Sequence, residues 1–240
     1  MKEKYTCQIN KDLSFEIKLQ EGVFHPTGTS DEIIKAVSDN IASPGKLLDL
    51  GCGSGVVGFA LHILGKAEGS LYASDLSNDA TLLIEENAKD LGIPVISRPG
   101  SIFEPWENES FDYIVDDISG VAEQVAEISP WFNKTSCRSG EDGTDLIVEA
   151  ISNAPVHLNE DGKFLFPVLS LSNTEKIVES ANSTFLKVTK IGHKEWRLPD
   201  EMKEHMDMLS GLRSKGLIHF EEKYGWLLWS TDVYMAEYPR

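Results

Sequence analysis

The stretch "KLLDLGCGSGVVGFALHILG", residues 46–65, constrains the fold more than any other part of this chain. A short apolar run leads into glycines at alternate positions, Gly51, Gly53 and Gly55, and then into an apolar run of helical period. That reads as a buried strand, a tight turn and a helix. Glycines at this spacing let the backbone turn sharply and approach another group without a Cβ in the way. Two patterns overlap here. Gly53, Gly55 and Gly58 spell G-x-G-x-x-G, while Asp49, Gly51, Gly53 and Gly55 spell D-x-G-x-G-x-G.

The rest of the chain repeats the alternation of strand and helix. "SLYASDL" (70–76), "IPVIS" (93–97), "FDYIVDD" (111–117) and "GKFLFPVLS" (162–170) read as strands. Helical patterns lie between them: 77–92 capped by Ser77 and stopped by Gly92, one near "SGVAEQVAEI", and 143–158. "NTEKIVESAN" is a further helix, followed by the late strands "TFLKVTKIGHKEWRL" and "WLLWSTDVYMAEY". Upstream, Leu13, Phe15, Ile17 and Leu19 alternate as a half-buried strand, and Ser30 is placed to cap a helix over 31–42. Strands separated by helices imply βαβ units, and right-handed crossovers imply a doubly wound sheet. The expected fold is therefore α/β and Rossmann-like, with a mostly parallel seven-stranded sheet, helices on both faces and a late antiparallel strand. Residues 1–29 form an N-terminal strand region and entry segment, and 30–240 one domain. Within it, 197–216 is a candidate substrate lid with Met202, Met206 and Leu209 in a helical stripe.

Composition narrows the function. The 240 residues carry 22 basic and 39 acidic side chains, a formal charge of −17. Such a surface repels phosphate backbones and argues against a nucleic-acid substrate. No apolar run approaches the roughly 18 to 20 residues of a membrane helix, and the N-terminus lacks a signal-peptide core. A soluble, cytoplasmic protein is expected. Cys7, Cys52 and Cys137 are scattered and odd in number, so neither a disulfide framework nor a metal site is expected.

In a doubly wound sheet, ligands sit beyond the carboxyl ends of the strands, which is where the glycine loop lies. A dinucleotide turn aims helix N–H groups at a pyrophosphate, and a carboxylate there would repel it. Asp49, at the end of its strand, instead attracts the ammonium and sulfonium of S-adenosylmethionine. Asp75, at the end of the next strand, suits ribose hydroxyls of either ligand. The residues favour S-adenosylmethionine, with a nicotinamide oxidoreductase as the disfavoured reading.

The segment "LLDLGCGSGVVGFAL" followed by "YASDLSNDATLLIEENAKDLGI" resembles motifs I and II of class I methyltransferases. "GVFHPTGTSDEII", "GSIFEPWENESFDYIVDD" and "RSGEDGTDLIVEAISNAPVHLNEDGKFLF" resemble further segments of release-factor glutamine methyltransferases and their small-domain relatives, so the resemblance spans about residues 22–170. It implies that Asp49, Gly51, Cys52, Gly53 and Gly55 line the methionine part of the cofactor. It also implies that Asp75 holds the ribose, that Leu76 lies beside the adenine, and that Ser101 and Ile102 stand where the family contacts the adenine. Asp116 joins this cofactor set.

One departure bears on the acceptor. Amino-methylating relatives end the fourth strand with Asn-Pro-Pro-Tyr or Asp-Pro-Pro-Tyr, whereas this chain has Asp117, Ile118, Ser119 and Gly120. The stacking ring and the stiff turn are missing. Asp117 is retained as the expected catalytic or acceptor-binding carboxylate; capping of the following helix by both Asp116 and Asp117 is the structural alternative. His25 and Trp131 are candidate substrate contacts. The function expected is methyl transfer to an O or N acceptor of a small molecule or protein side chain. The competing readings are a protein glutamine methyltransferase with a degenerate motif, and an inactive partner subunit of the same fold. Oligomeric state is not legible in the sequence.

Overall fold

The computed structural model describes residues 3–118, 120–132, 135 and 137–240. In chain order the elements begin with β1 (Lys4–Gln8), β2 (Ser14–Lys18), α1 (Gly28–Asn40), β3 (Leu47–Leu50), α2 (Val56–Ile63) and β4 (Leu71–Asp75). Then come α3 (Asn78–Leu91), β5 (Val95–Pro99), β6 (Phe111–Asp116), α4 (Glu123–Ile128), α5 (Asp145–Asn153) and β7 (Leu158–Leu169). The last are α6 (Thr174–Thr184), β8 (Phe185–Arg197), α7 (Met206–Ser214), β9 (Glu221–Lys223) and β10 (Trp226–Pro239).

The main sheet runs β5-β4-β3-β6-β7-β10-β8. The pairings from β5 through β7 are parallel, and β10 is antiparallel to both β7 and β8. Seven strands form this path, and the short β9 pairs with β10 as an eighth among the described residues. The chain leaves β3 toward β4 and β5, then returns to the other side for β6 and β7. The carboxyl ends of β3 and β6 therefore flank the switch point, where a crevice opens.

Alternation along the strands splits the core in two. Leu47, Val115 and Leu165 join Ile33, Val37, Phe59 and Ile84 on one face. Leu48, Ile114, Phe164 and Phe166 join Ile147, Ile151 and Ile177 on the other. Adjacent strand residues point to opposite faces, so β3 must be apolar on both. A third cluster lies past the carboxyl edge of the sheet, where Val121, Val125, Phe132, Leu198, Met202 and Trp229 pack together. No described helix is long and apolar enough to cross a membrane.

Several boundaries differ from the sequence reading. The helix expected from 31 begins at Gly28, because Thr27 is its cap: the Thr27 side chain accepts from the Thr29 N–H. Ser30 lies within the first turn. The helix expected over 143–158 ends at Asn153, where Pro155 enters a 3-10 turn over Ala154–His157. The N-terminal strand has a partner, β1, and the hairpin packs through Cys7, Phe15 and Ile17. In the 197–216 segment, Met202 and Leu209 are buried in the third cluster, and the residues of this segment that face the crevice are Arg197 and Pro199.

Candidate functional site

The glycine loop is held by left-handed glycines, with φ of 78° at Gly51, 49° at Gly53 and 84° at Gly55. The N–H groups of Gly51 and Cys52 donate to the Ser74 carbonyl at 2.8 and 2.9 Å, tying the loop to β4. Asp49 is buried, and its Oδ2 accepts the Gly58 N–H at 2.9 Å. That N–H belongs to the first turn of α2. The helix terminus thus already meets a carboxylate of its own chain, where a dinucleotide would need to bring its pyrophosphate. Gly58 completes the G-x-G-x-x-G spelling for a packing reason: a Cβ there would lie 2.6 Å from Asp49 Oδ2 and 2.8 Å from Leu71. Burial, with Asp75 nearby, pushes the Asp49 carboxyl up to about 7 against the pull of the Gly58 hydrogen bond.

A cavity of about 680 Å³ opens over this loop. Gly51, Asp75, Leu76, Ser101 and Ile102 line one end, and the entry segment, including Gly22, Phe24, Thr27 and Thr29, forms a wall. Asp75 accepts the Gly53 N–H at 2.9 Å and the Ser77 N–H at 2.8 Å, which fixes its carboxylate at the mouth of the loop. Burial raises its pKa against both bonds. Ile102 holds φ at 46°, a costly conformation for a β-branched residue, and this strain sits in the cavity lining.

Asp117 lines the middle of the cavity. Its Oδ2 accepts from Ser30 Oγ at 2.9 Å, so the first turn of α1 holds the carboxylate over the end of β6. Burial raises Asp117 well above the carboxylate range; the Ser30 bond opposes this, and the charges of Asp49 and Asp116 add to it. Asp116 is buried and its Oδ1 accepts the Ile118 N–H at 3.1 Å. Burial pushes Asp116 up to about 8. Asp49 Oδ1 and Asp116 Oδ2 have no hydrogen-bond partner among the described residues. Asp49 and Asp116 thus lie behind the cavity and Asp117 in its lining, and a cationic group bound there would favour their ionised forms.

The far end is aromatic. Trp131 lies 5.0 Å from Trp229, and Trp229 lies 6.3 Å from Trp196, centroid to centroid. Trp196 and Trp229 are cross-strand partners where β8 and β10 run past the sheet edge. Trp196 Nε1 donates to Thr231 Oγ1, which also bonds Thr29 Oγ1. Gly28 lets α1 approach the Trp196 ring, since a Cβ there would lie 2.6 Å from it.

Of the residues singled out in the sequence, the cavity gathers Gly51, Asp75, Leu76, Ser101, Ile102, Asp117 and Trp131. Asp49, Cys52, Gly53, Gly55 and Asp116 stand behind it and shape the loop and its charge. His25 is exposed, bonds at 3.4 Å to the Gln20 carbonyl and does not line the cavity. Ser119 lies outside the described residues. Trp196, Trp229, Arg138 and Arg197 escaped the sequence reading, and Ser30 was read there only as a helix cap. A Ser in a helical first turn reads locally as a cap, and the others meet only through long-range pairing.

Comparison with known proteins accords with this geometry. Residues 15–117 match the methyltransferase small domain family. The chain is 24% identical over 156 residues to a release factor glutamine methyltransferase of Enterococcus faecalis, covering 62% of this chain and 56% of that protein. It is 25% identical over 193 residues to a ribosomal protein L11 methyltransferase of Staphylococcus saprophyticus, covering 78% and 53%. The chain thus spans about half the length of these relatives. Among solved structures, a ribosomal protein L11 methylase of Lactobacillus delbrueckii superposes with a TM-score of 0.59 at 19% identity, covering 98% of this chain and 99% of that one. A T. thermophilus 16S rRNA methyltransferase in complex with AdoMet and guanosine gives 0.65 at 14% identity, covering 98% and 50%. The acids below the loop and the already bonded helix terminus suit a cationic sulfur cofactor and not a pyrophosphate. Over residues 15–117 the chain is thus similar to the methyltransferase small domain family, and its fold is that of the solved methyltransferases.

Proposed function

We propose that this protein methylates an O or N acceptor of a small molecule or a protein side chain, with Asp117 as the acceptor-side carboxylate. One observation carries the reading: a single cavity joins Gly51 and Asp75 to Asp117. When bound, S-adenosylmethionine supplies a methyl group activated on a sulfonium. Asp75, Leu76, Ser101 and Ile102 would hold its nucleoside, and Gly51 its amino-acid part. The chain's own contribution is mainly alignment, which accounts for about 7–11 kcal/mol in well-oriented reactions. Asp117 takes a proton from the acceptor hydroxyl or ammonium, worth about 10²- to 10⁴-fold. The charge of −17 weighs against nucleic acid as the acceptor.

Calorimetric titration with S-adenosylmethionine, S-adenosylhomocysteine and NADH tests the cofactor half. Micromolar binding of the two sulfur compounds is expected, with none of NADH, and Asp75→Ala should weaken it. On a proven acceptor, Asp117→Ala should spare cofactor binding and lower turnover. NADH binding without either sulfur compound overturns the reading, and full turnover by Asp117→Ala removes the role assigned to that carboxylate.

A further inference from the structure

We propose that the far end of the cavity is an acceptor chamber for a small aromatic molecule bearing an oxyanion, held by Arg138 and Arg197 against Trp131, Trp196 and Trp229. This rests on the methyltransferase reading and names the substrate class for the same site.

The arginines carry the argument. Both line the cavity and are exposed, and neither side chain forms an ion pair or a hydrogen bond among the described residues. Arg213, over the Phe220 ring at 5.0 Å, likewise has no ion pair among the described residues, but it does not line the cavity. Elsewhere, Arg98 donates to the Pro105 carbonyl and approaches Glu109, and Arg240 donates to the Asn182 and Phe185 carbonyls. Arg197 instead has its Cζ 3.5 Å from the centroid of Trp226, which lies outside the cavity lining, and its side chain has no hydrogen bond among the described residues. A planar fork of this kind matches a carboxylate or phosphate.

The three indoles supply broad, rigid apolar faces suited to an aromatic body. Trp196 is fixed by its bond to Thr231. Distance separates this chamber from the cofactor end. Asp75 ends β4 and Trp229 lies near the start of β10, four strands apart in the sheet order, which is roughly 19 Å at about 4.8 Å per strand. The cavity volume falls within the range of about 300–1,000 Å³ typical of sites for small molecules. Charge is also divided: Asp75 lies at the cofactor end, Asp117 at the junction, and the two arginines at the far end. An anionic acceptor is drawn to the end opposite a cationic cofactor.

The full-length chain is titrated with 4-hydroxybenzoate, phenyl phosphate, neutral 4-hydroxybenzamide, cationic tyramine and a glutamine-containing peptide, with and without saturating S-adenosylhomocysteine. At least one anion should bind about tenfold tighter than the amide or tyramine, the scale of one charge-assisted hydrogen bond. Preference between benzoate and phenyl phosphate identifies the oxyanion. Arg138→Gln and Arg197→Gln should each lose about that factor while keeping S-adenosylhomocysteine affinity. Equal binding of the amide or tyramine, binding of the peptide alone, binding of neither anion, or anion binding unchanged in both variants overturns the proposal. Failure of S-adenosylhomocysteine to bind counts against the cofactor assignment, and the titrations without it still decide this one.

Discussion

Ser30 shows how a single hydroxyl can tune a reaction. Its bond to Asp117 favours the ionised carboxylate and opposes the burial that raises its pKa. If Asp117 works as a base, turnover rises with pH as that carboxyl ionises. Removing the hydroxyl leaves the carboxylate less stabilised, so its pKa moves further up. Ser30→Ala should shift the rising limb of the pH–rate profile to higher pH with little change in the cofactor dissociation constant. An unmoved limb would show that Asp117 does not set it. Ser30→Thr, which retains the hydroxyl, should restore the limb.

At the scale of elements, the junction of β3 and α2 is the tightest part of the site. Ala at position 58 would gain helix propensity, about 0.5–1 kcal/mol over glycine. Its Cβ would collide with Asp49 Oδ2 and with Leu71, and both side chains are fully buried with no room to yield. Gly58→Ala should therefore destabilise the fold by about 1–3 kcal/mol, read as a fall in denaturant midpoint, and weaken cofactor binding by moving the loop. The strand–glycine–helix unit was legible in the sequence because its signals are local: an apolar run, glycines at fixed spacing, then helical period. Ser77 and Gly92 bound α3 as read, for the same reason. Thr27 was not legible as the cap of α1, since Thr27 and Ser30 are both good caps and tertiary contact with Asp117 decides between them. Of the aromatic end only Trp131 was legible. Trp196 and Trp229 are 33 positions apart and meet only because β8 and β10 pair in one register. Arg138 and Arg197 carry no local pattern at all.

Across the whole molecule, the buried acids make stability depend on pH in an unusual direction. Asp49 and Asp116 are raised to about 7 and about 8 by burial. Each holds its proton longer in the folded chain than in the unfolded one, where it titrates near 3.8. The stability they contribute is full below that value and is lost as pH rises through 7 and 8. Glu109, lowered by Lys46, acts oppositely and loses its contribution as pH falls through its depressed value. The ligand-free melting temperature should decline from about pH 5 to pH 8, and Asp116→Asn should flatten that decline. A flat profile in the parent protein would mean that these carboxyls are already ionised when folded.

The position of β10 has a consequence for how the protein is made. It follows β8 in the chain, yet it lies inside the sheet, between β7 and β8. During synthesis, β3 to β7 can pair as they leave the ribosome, because each finds a neighbour already made. β8 cannot dock until β10 has emerged and inserted, and until then β7 presents an open edge to other nascent chains. The glycine loop and Asp75 are thus assembled early, while Trp196, Arg197 and Trp229 come together only once β10 has emerged. The two ends of one cavity have different birthdays, and a stalled chain would have the first without the second.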